Sequence, residues 1–190
     1  MAPAAPIAVT LGDPAGVGPE VTARAWELRK ERGLPAFFAL GDAAAVEQVW
    51  SGPVERVNSI EGVTGAFARA LPVWQVEDSG PPQPGQPTPR GALCALHALD
   101  CGIGFVRQQA ASALVTGPVS KRELHAIGYT HPGQTEFIAE RCGITADNAV
   151  MMLAGPSLRV VPLTVHIALA DVPAALTAEL IINKARVTAR

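Results

Sequence analysis

The chain has 190 residues, 48% hydrophobic and 17% charged, which excludes an intrinsically disordered polymer and suffices to bury a core without disulfide staples. Fifteen Lys and Arg against seventeen Asp and Glu leave a formal net charge of -2, which removes the electrostatic basis for a generic nucleic-acid binder or an anionic-membrane binder. Cys94, Cys101 and Cys142 have no metal-finger spacing and cannot all pair, so a reduced, cytoplasmic compartment is expected.

The opening MAPAAPIAVTLGDPAG has neither a basic start nor a long apolar run, so no signal peptide is expected. No stretch approaches the ~20 apolar residues of a membrane-spanning helix. Residues 6–11, PIAVTL, read as a short strand that ends in GDPAGVGPE. Residues 20–33 read as a helix with Val21, Ala25 and Leu28 on one face and Gly33 as its stop. PAFFAL at 35–40 is a second buried strand, Gly41-Asp42 a turn, and 43–50 a helix. This alternation predicts an α/β architecture with a largely parallel sheet.

Within residues 51–78, VERVNSI and LPVWQVE are strand candidates with a helix or turn between them. SGPPQPGQPTPR at 79–90 is a surface loop or linker, because its prolines and glycines exclude a helix or central strand. Residues 91–110 form an apolar-faced helix in spite of internal glycines. Ala113–Thr116 reads as a short buried strand, and Ser120 as the cap of a helix, with Glu123 completing a capping box. A helix follows Gly133 to about Arg141, then an apolar stretch at 149–154 and a strand, LRVVPLTVH, at 158–166. Residues 171–190 read as one amphipathic helix that reaches the last residue with Leu180, Ile181 and Val187 still lacking a partner. No internal repeat is visible.

Four constellations carry chemistry. GDPAGVGPE lies between a strand and a helix, where glycines admit positive φ and helix N–H groups face an anion. It matches a dinucleotide fingerprint only loosely, and taken alone it reads as a tight turn stabilised by Asp13. TGPVSK sits at the carboxyl end of a strand, where ligands of open α/β sheets bind, and Lys121 is a candidate contact for phosphate or carboxylate. In HPGQTEF, Gln134 and Thr135 stand at a helix start, where they either cap the helix or hydrogen-bond an anionic ligand. His166 ends an apolar run and is placed for metal binding or acid–base work, whereas His97 reads as structural.

In order, VTLGDPAGVGPE, ALVTGPVSK, HPGQTEF, VMMLAG and the strand ending in His166 resemble the 4-hydroxythreonine-4-phosphate dehydrogenase family of pyridoxal phosphate biosynthesis. The resemblance implies a two-lobed α/β fold like that of isocitrate and isopropylmalate dehydrogenases, a homodimer, and a cleft between lobes. It implies NAD(P)-dependent oxidation and decarboxylation of 4-phosphooxy-L-threonine to 3-amino-2-oxopropyl phosphate, with a divalent cation (Zn, Mg or Co) as Lewis acid. Carried over by position, Gln134 and Thr135 are the substrate-binding pair, with glutamine where the family often has histidine, and His166 is the first of three metal histidines. Residues 1–110 would then be part of the first lobe, and 111–190 the start of the second, with the substrate and metal side. Family chains are much longer, so the sequence reads as an N-terminal part, whose activity alone is in question. The alternatives are a non-catalytic remnant that binds a phosphorylated small molecule, or a sister dehydrogenase of 4-phosphorylated sugar acids.

Overall fold

A computed structural model of the protein describes residues 4–145 and 148–189. It divides into two compact units between Tyr129 and Thr130. The sequence placed this division at 110/111. The later boundary follows from strand pairing: β5 (Ala113–Thr116) runs parallel to β1 (Ile7–Thr10), with Ile7 opposite Ala113 and Thr10 opposite Thr116. The segment after residue 110 therefore completes the first sheet.

That sheet has five strands in the order β3-β4-β2-β1-β5, where β2 is Phe37–Gly41, β3 Val54–Val57 and β4 Leu71–Gln75. Every pairing is parallel. The crossovers are α1 (Gly18–Glu27), α2 (Ala43–Val49), α3 (Ile60–Arg69) and α4 (Pro89–Arg107), and α5 (Lys121–Ala126) follows β5. Every residue of β2 is buried, so its side chains feed the core on both faces of the sheet. Phe37 and Ala39 pack with Ala23, Trp26 and Val46. Phe38 and Leu40 pack with Val63 and Ala98. Edge-to-face ring pairs reinforce both sides, Phe37 with Phe67 at 4.9 Å and Phe38 with Phe105 at 5.3 Å.

Three expectations for this unit need correction. Helix α1 stops at Glu27, six residues short of Gly33, and turns occupy the interval. There the Arg29 guanidinium lies 3.4 Å from the centre of the Trp26 ring and donates to the Trp26 carbonyl, holding the chain in a tightened exit. The buried face of α1 is Pro19, Thr22, Ala23 and Trp26, and Val21 is 57% exposed. The large Trp26 sets that face, because its indole donates to the Phe67 carbonyl at 2.9 Å. Strand β5 is not buried: it sits at the sheet edge, pairs with β1, and leaves Val115 50% exposed.

The second unit contains α6 (Gln134–Arg141), a two-residue antiparallel pair of β6 (Leu153–Ala154) and β7 (Arg159–Val160), a 3-10 turn at Leu169–Asp171, α7 (Val172–Ala175) and α8 (Ala178–Thr188). The strand expected at 158–166 shrinks to Arg159–Val160, and irregular backbone follows. Pro162 lacks a ladder donor and His166 adopts φ 58°, both at odds with an extended strand. The expected C-terminal helix is split at Leu176–Thr177, where the Thr177 hydroxyl accepts from the Leu180 N–H and starts α8 afresh. Among the described residues no helix is long and apolar enough to cross a membrane.

Candidate functional site

One cavity in each unit carries several polar side chains on its walls. In the first unit the chain leaves β1 through Gly12, whose φ of +70° suits glycine, and where a Cβ would come within 2.2 Å of the Pro118 carbonyl oxygen. That close approach lets the Asp13 N–H donate to the Pro118 carbonyl at 2.9 Å, while the Gly117 N–H donates to the Thr10 carbonyl at 2.9 Å. The GDPAGVGPE and TGPVSK loops are thereby stitched together at the carboxyl edge of the central strands.

Asp13 is 3% exposed. Its Oδ1 accepts from the Ala15 N–H at 2.9 Å, the tight turn expected from the sequence, while Oδ2 is buried without a hydrogen-bond partner. Burial raises the Asp13 pKa, the Ala15 N–H opposes the shift, the negative charge of Glu123 adds to it, and the nearby Ser120 N–H opposes it more weakly. The side chain lines a cavity of about 320 Å³ with Pro14, Ser79, Gln83, Thr88 and Arg90. The folded chain thus holds a proton on Asp13 more tightly than the unfolded chain does. Stability from this group is full below pH 3.8 and falls as pH rises through the higher folded pKa. Asp13→Asn keeps the Oδ1 acceptor and removes the buried charge. It is expected to raise the melting temperature at neutral pH by about 2–4 °C, with no gain below pH 3.8. Calorimetry at the two pH values checks this, and a destabilised variant at neutral pH would refute the buried-charge account.

Ser120 occupies the cap position of α5, but its side chain does not cap the helix. The expected capping box is absent because Glu123 turns inward, 7% exposed, with Arg122 Nε 3.1 Å from its Oε1. Lys121 is exposed at the first residue of α5, in the first unit. His97 pairs with Glu77, its Nδ1 2.6 Å from Oε2, in keeping with a structural role.

In the second unit Thr135, Glu136, Met151, Leu163, His166 and Lys184 are among the residues lining a cavity of about 170 Å³. Thr135 is the second residue of α6, whose cap, Gly133, is extended and provides no side-chain acceptor. Gln134 is half-buried at the first position of α6 and does not line this cavity. His166 is exposed on its rim, in the left-handed conformation. Lys184 reaches in from α8 and donates to the Ala149 carbonyl at 2.7 Å. The structure therefore brings Thr135 and His166 to one cavity, and adds Glu136 and Lys184, which the sequence reading missed. Glu136 was recoverable, since a glutamate three residues after a helix cap is a recognised pattern. Lys184 was not, because it lies eighteen residues from His166 on a helix of mixed composition.

Among the described residues no three His, Cys, Asp or Glu side chains gather into a metal-binding group. Among the described residues His166 is the one histidine lining the cavity. A catalytic cation usually takes three protein ligands, so the described residues do not by themselves make a complete metal centre.

A parallel sheet with glycine-bearing loops tied together at its carboxyl edge places the chain among the open α/β proteins that take small ligands there. The family model described as pyridoxal phosphate biosynthetic protein PdxA matches residues 34–190, and the chain belongs to this family of oxidoreductases. The 4-hydroxythreonine-4-phosphate dehydrogenase of Zymomonas mobilis is 54% identical over 183 residues, covering 96% of this chain and 55% of that protein. The enzyme of the same name from Erythrobacter litoralis is 44% identical, with 98% and 57% covered. A crystal structure of 4-hydroxythreonine-4-phosphate dehydrogenase from Klebsiella pneumoniae superposes with a TM-score of 0.83 at 26% identity, covering 94% of this chain and 56% of that one. The chain thus spans little more than half the length of the relatives it matches.

Proposed function

We propose that this chain carries the substrate-recognition part of an NAD(P)-dependent 4-hydroxythreonine-4-phosphate dehydrogenase, which oxidises and decarboxylates 4-phosphooxy-L-threonine to 3-amino-2-oxopropyl phosphate. The observation that supports this reading is the meeting of Thr135 and His166 in one cavity at the start of α6. The Thr135 hydroxyl would donate to a phosphate or carboxylate oxygen, and the Gln134 side-chain amide, at the first position of the helix, would be a second contact. His166 would contribute one contact to a divalent cation, and the described residues do not supply a complete ligand set around it.

A nicotinamide cofactor, when bound, accepts the hydride. The Asp13 cavity supports a place for part of it, since the unpartnered Oδ2 can exchange a hydrogen bond with an amide or hydroxyl at the carboxyl edge of the sheet. Lys121, exposed just beyond β5, is a further anion contact in this reading. A cytoplasmic location and self-association complete it. The latter is supported by exposed apolar side chains such as Leu153, Leu158 and Leu169, which are 57%, 66% and 87% exposed.

Isothermal titration of the full chain with 4-phosphooxy-L-threonine and with inorganic phosphate tests the reading. Binding of both is expected. Thr135→Val should weaken each by about tenfold or more, the worth of one hydrogen bond to a charged group. An unmutated chain that binds neither ligand would sink the proposal.

A further inference from the structure

We infer that the cavity of the first unit receives an uncharged donor group, a ribose hydroxyl pair or a carboxamide, on Asp13 and Ser79, and excludes a phosphate. The inference rests on the functional reading above and deepens it, because it names the chemistry that this cavity takes from a nicotinamide cofactor and the chemistry that it rejects.

Three segments build the cavity. The turn after β1 supplies Asp13, the 79–88 loop supplies Ser79, Gln83 and Thr88, and the start of α4 supplies Arg90. The loop is tied to the turn, because the Gly85 N–H donates to the Ala15 carbonyl at 2.7 Å. It is tied to the end of β2 as well, where the Ser79 N–H and hydroxyl donate to Asp42 Oδ2 at 2.8 and 2.6 Å. These bonds fix two acceptors on the walls. Asp13 is 3% exposed, and its Oδ2 has no hydrogen-bond partner. The Ser79 hydroxyl gives its proton to Asp42, which leaves its oxygen as an acceptor. A buried carboxyl oxygen without a donor is unfavourable until a donor reaches it. A hydroxyl pair or an amide NH2 group brings two donors, one for each of these acceptors.

Charge sets what the cavity rejects. Among the described residues its walls hold one cation, Arg90, and that cation is already engaged. Arg90 Nε donates to the Asp78 carbonyl at 2.9 Å, and its Nη2 lies 3.1 Å from Asp78 Oδ2. A phosphate carried into the cavity would meet the Asp13 carboxyl and a cation that has its counter-charge elsewhere. Its oxygens are chiefly acceptors, so they would leave the acceptors of Asp13 and Ser79 unpaired. Leaving polar groups of a site unpaired is how binding sites reject close analogues. In dinucleotide-binding folds an acid on the ribose hydroxyls goes with the cofactor that lacks an extra phosphate, and an arginine with the one that carries it. Asp42, the other buried aspartate at this edge, cannot serve as that acid, because four donors already fill its two oxygens.

The test is titration calorimetry on the full chain with three probes: adenosine, nicotinamide and adenosine 2′-phosphate. Adenosine or nicotinamide is expected to bind, and the tighter of the two identifies the hydroxyl pair or the carboxamide as the group received. Adenosine 2′-phosphate should bind about tenfold or more weakly than that probe. Asp13→Asn keeps the Oδ1 acceptor and places an NH2 donor where Oδ2 stood. It should therefore weaken the tighter uncharged probe by about tenfold or more, and leave binding of 4-phosphooxy-L-threonine unchanged. Failure of both uncharged probes to bind would overturn the inference. So would adenosine 2′-phosphate binding as tightly as they do, or an uncharged probe whose affinity survives Asp13→Asn. Each of these results leaves the functional reading standing where 4-phosphooxy-L-threonine still binds. A chain that selects the uncharged probes but binds no 4-phosphooxy-L-threonine loses that reading and keeps the selectivity of this cavity. If Asp13→Asn melts early, the selection among the three probes by the unmutated chain decides the matter without it.

Discussion

Gly18→Ala is expected to cost the first unit about 3 kcal/mol and to lower its melting temperature by about 6–12 °C. A Cβ at Gly18 would lie 1.8 Å from the carbonyl oxygen of Leu11. The obstacle is backbone and cannot rotate away. Leu11 is itself fixed, 1% exposed, with its N–H donating to the Leu40 carbonyl at 2.9 Å. The clash must therefore push α1 outward, lifting Ala23 and Trp26 from the β2 face of the core. It must also open the loop that ties Asp13 to Pro118. The control is Gly104→Ala, on α4, where a Cβ meets nothing within 4 Å. There alanine should stabilise the helix by about 0.5–1 kcal/mol. Thermal melts of the two variants should shift in opposite directions. A Gly18→Ala chain that melts with the unmutated one would show that α1 is not seated against the Leu11 carbonyl.

The parts of the fold that were legible in the sequence are those whose cause is local. PAFFAL has the apolar run of a strand buried on both faces, and the strand it predicts, β2, is buried throughout. Gly133 followed by QTEFIAER predicts α6 within a residue, because a glycine break and a helical apolar spacing are both short-range signals. What failed depends on distant partners. LRVVPLTVH has the composition of a buried strand, yet only Arg159–Val160 pairs, and Leu158 is 66% exposed. ALVT reads as equally buried, but its exposure is set by its place at the edge beyond β1, a strand more than a hundred residues earlier. The division between the two compact units falls after β5 for the same reason.

The candidate site shows the same split. Thr135 and His166 came from motif order, and they meet in one cavity although irregular chain separates them. From sequence alone Glu136, a glutamate at the start of a helix, has an ordinary explanation in the helix dipole. Its unsatisfied oxygen is visible only once the side chain is placed. Asp13 was assigned to the turn, which its Oδ1 does hold, while the second oxygen and the cavity beyond it depend on the 79–88 loop, whose path no local signal specifies.

That path depends on Asp42, and Asp42→Ala is expected to destabilise the first unit by about 3 kcal/mol or more at neutral pH. Asp42 is 4% exposed and collects four donors. Its Oδ1 accepts from the Ala44 N–H at 3.0 Å, capping α2, and from Gln75 Nε2 at 3.0 Å, at the end of β4. Its Oδ2 accepts from the Ser79 N–H at 2.8 Å and the Ser79 hydroxyl at 2.6 Å. Burial alone would raise the Asp42 pKa. The bonds from Ser79, Gln75 and Ala44 together outweigh it and hold the carboxyl below 3.8. Its stabilisation is therefore full above pH 3.8 and is lost as pH falls through the lower folded pKa, the reverse of Asp13. Two aspartates at the same sheet edge are thus buried to different ends. Asp42 is saturated with donors and anchors Ser79, one wall of the cavity, while Asp13 faces that cavity with an oxygen to spare. The melting difference between the unmutated chain and Asp42→Ala should be widest near neutral pH and should shrink as the solution is acidified below pH 3.8. Asp42→Asn, which keeps the shape and loses the charge, should fall between the two. A gap that stays constant across that range would mean that the network holds by its geometry and not by the ionised carboxylate.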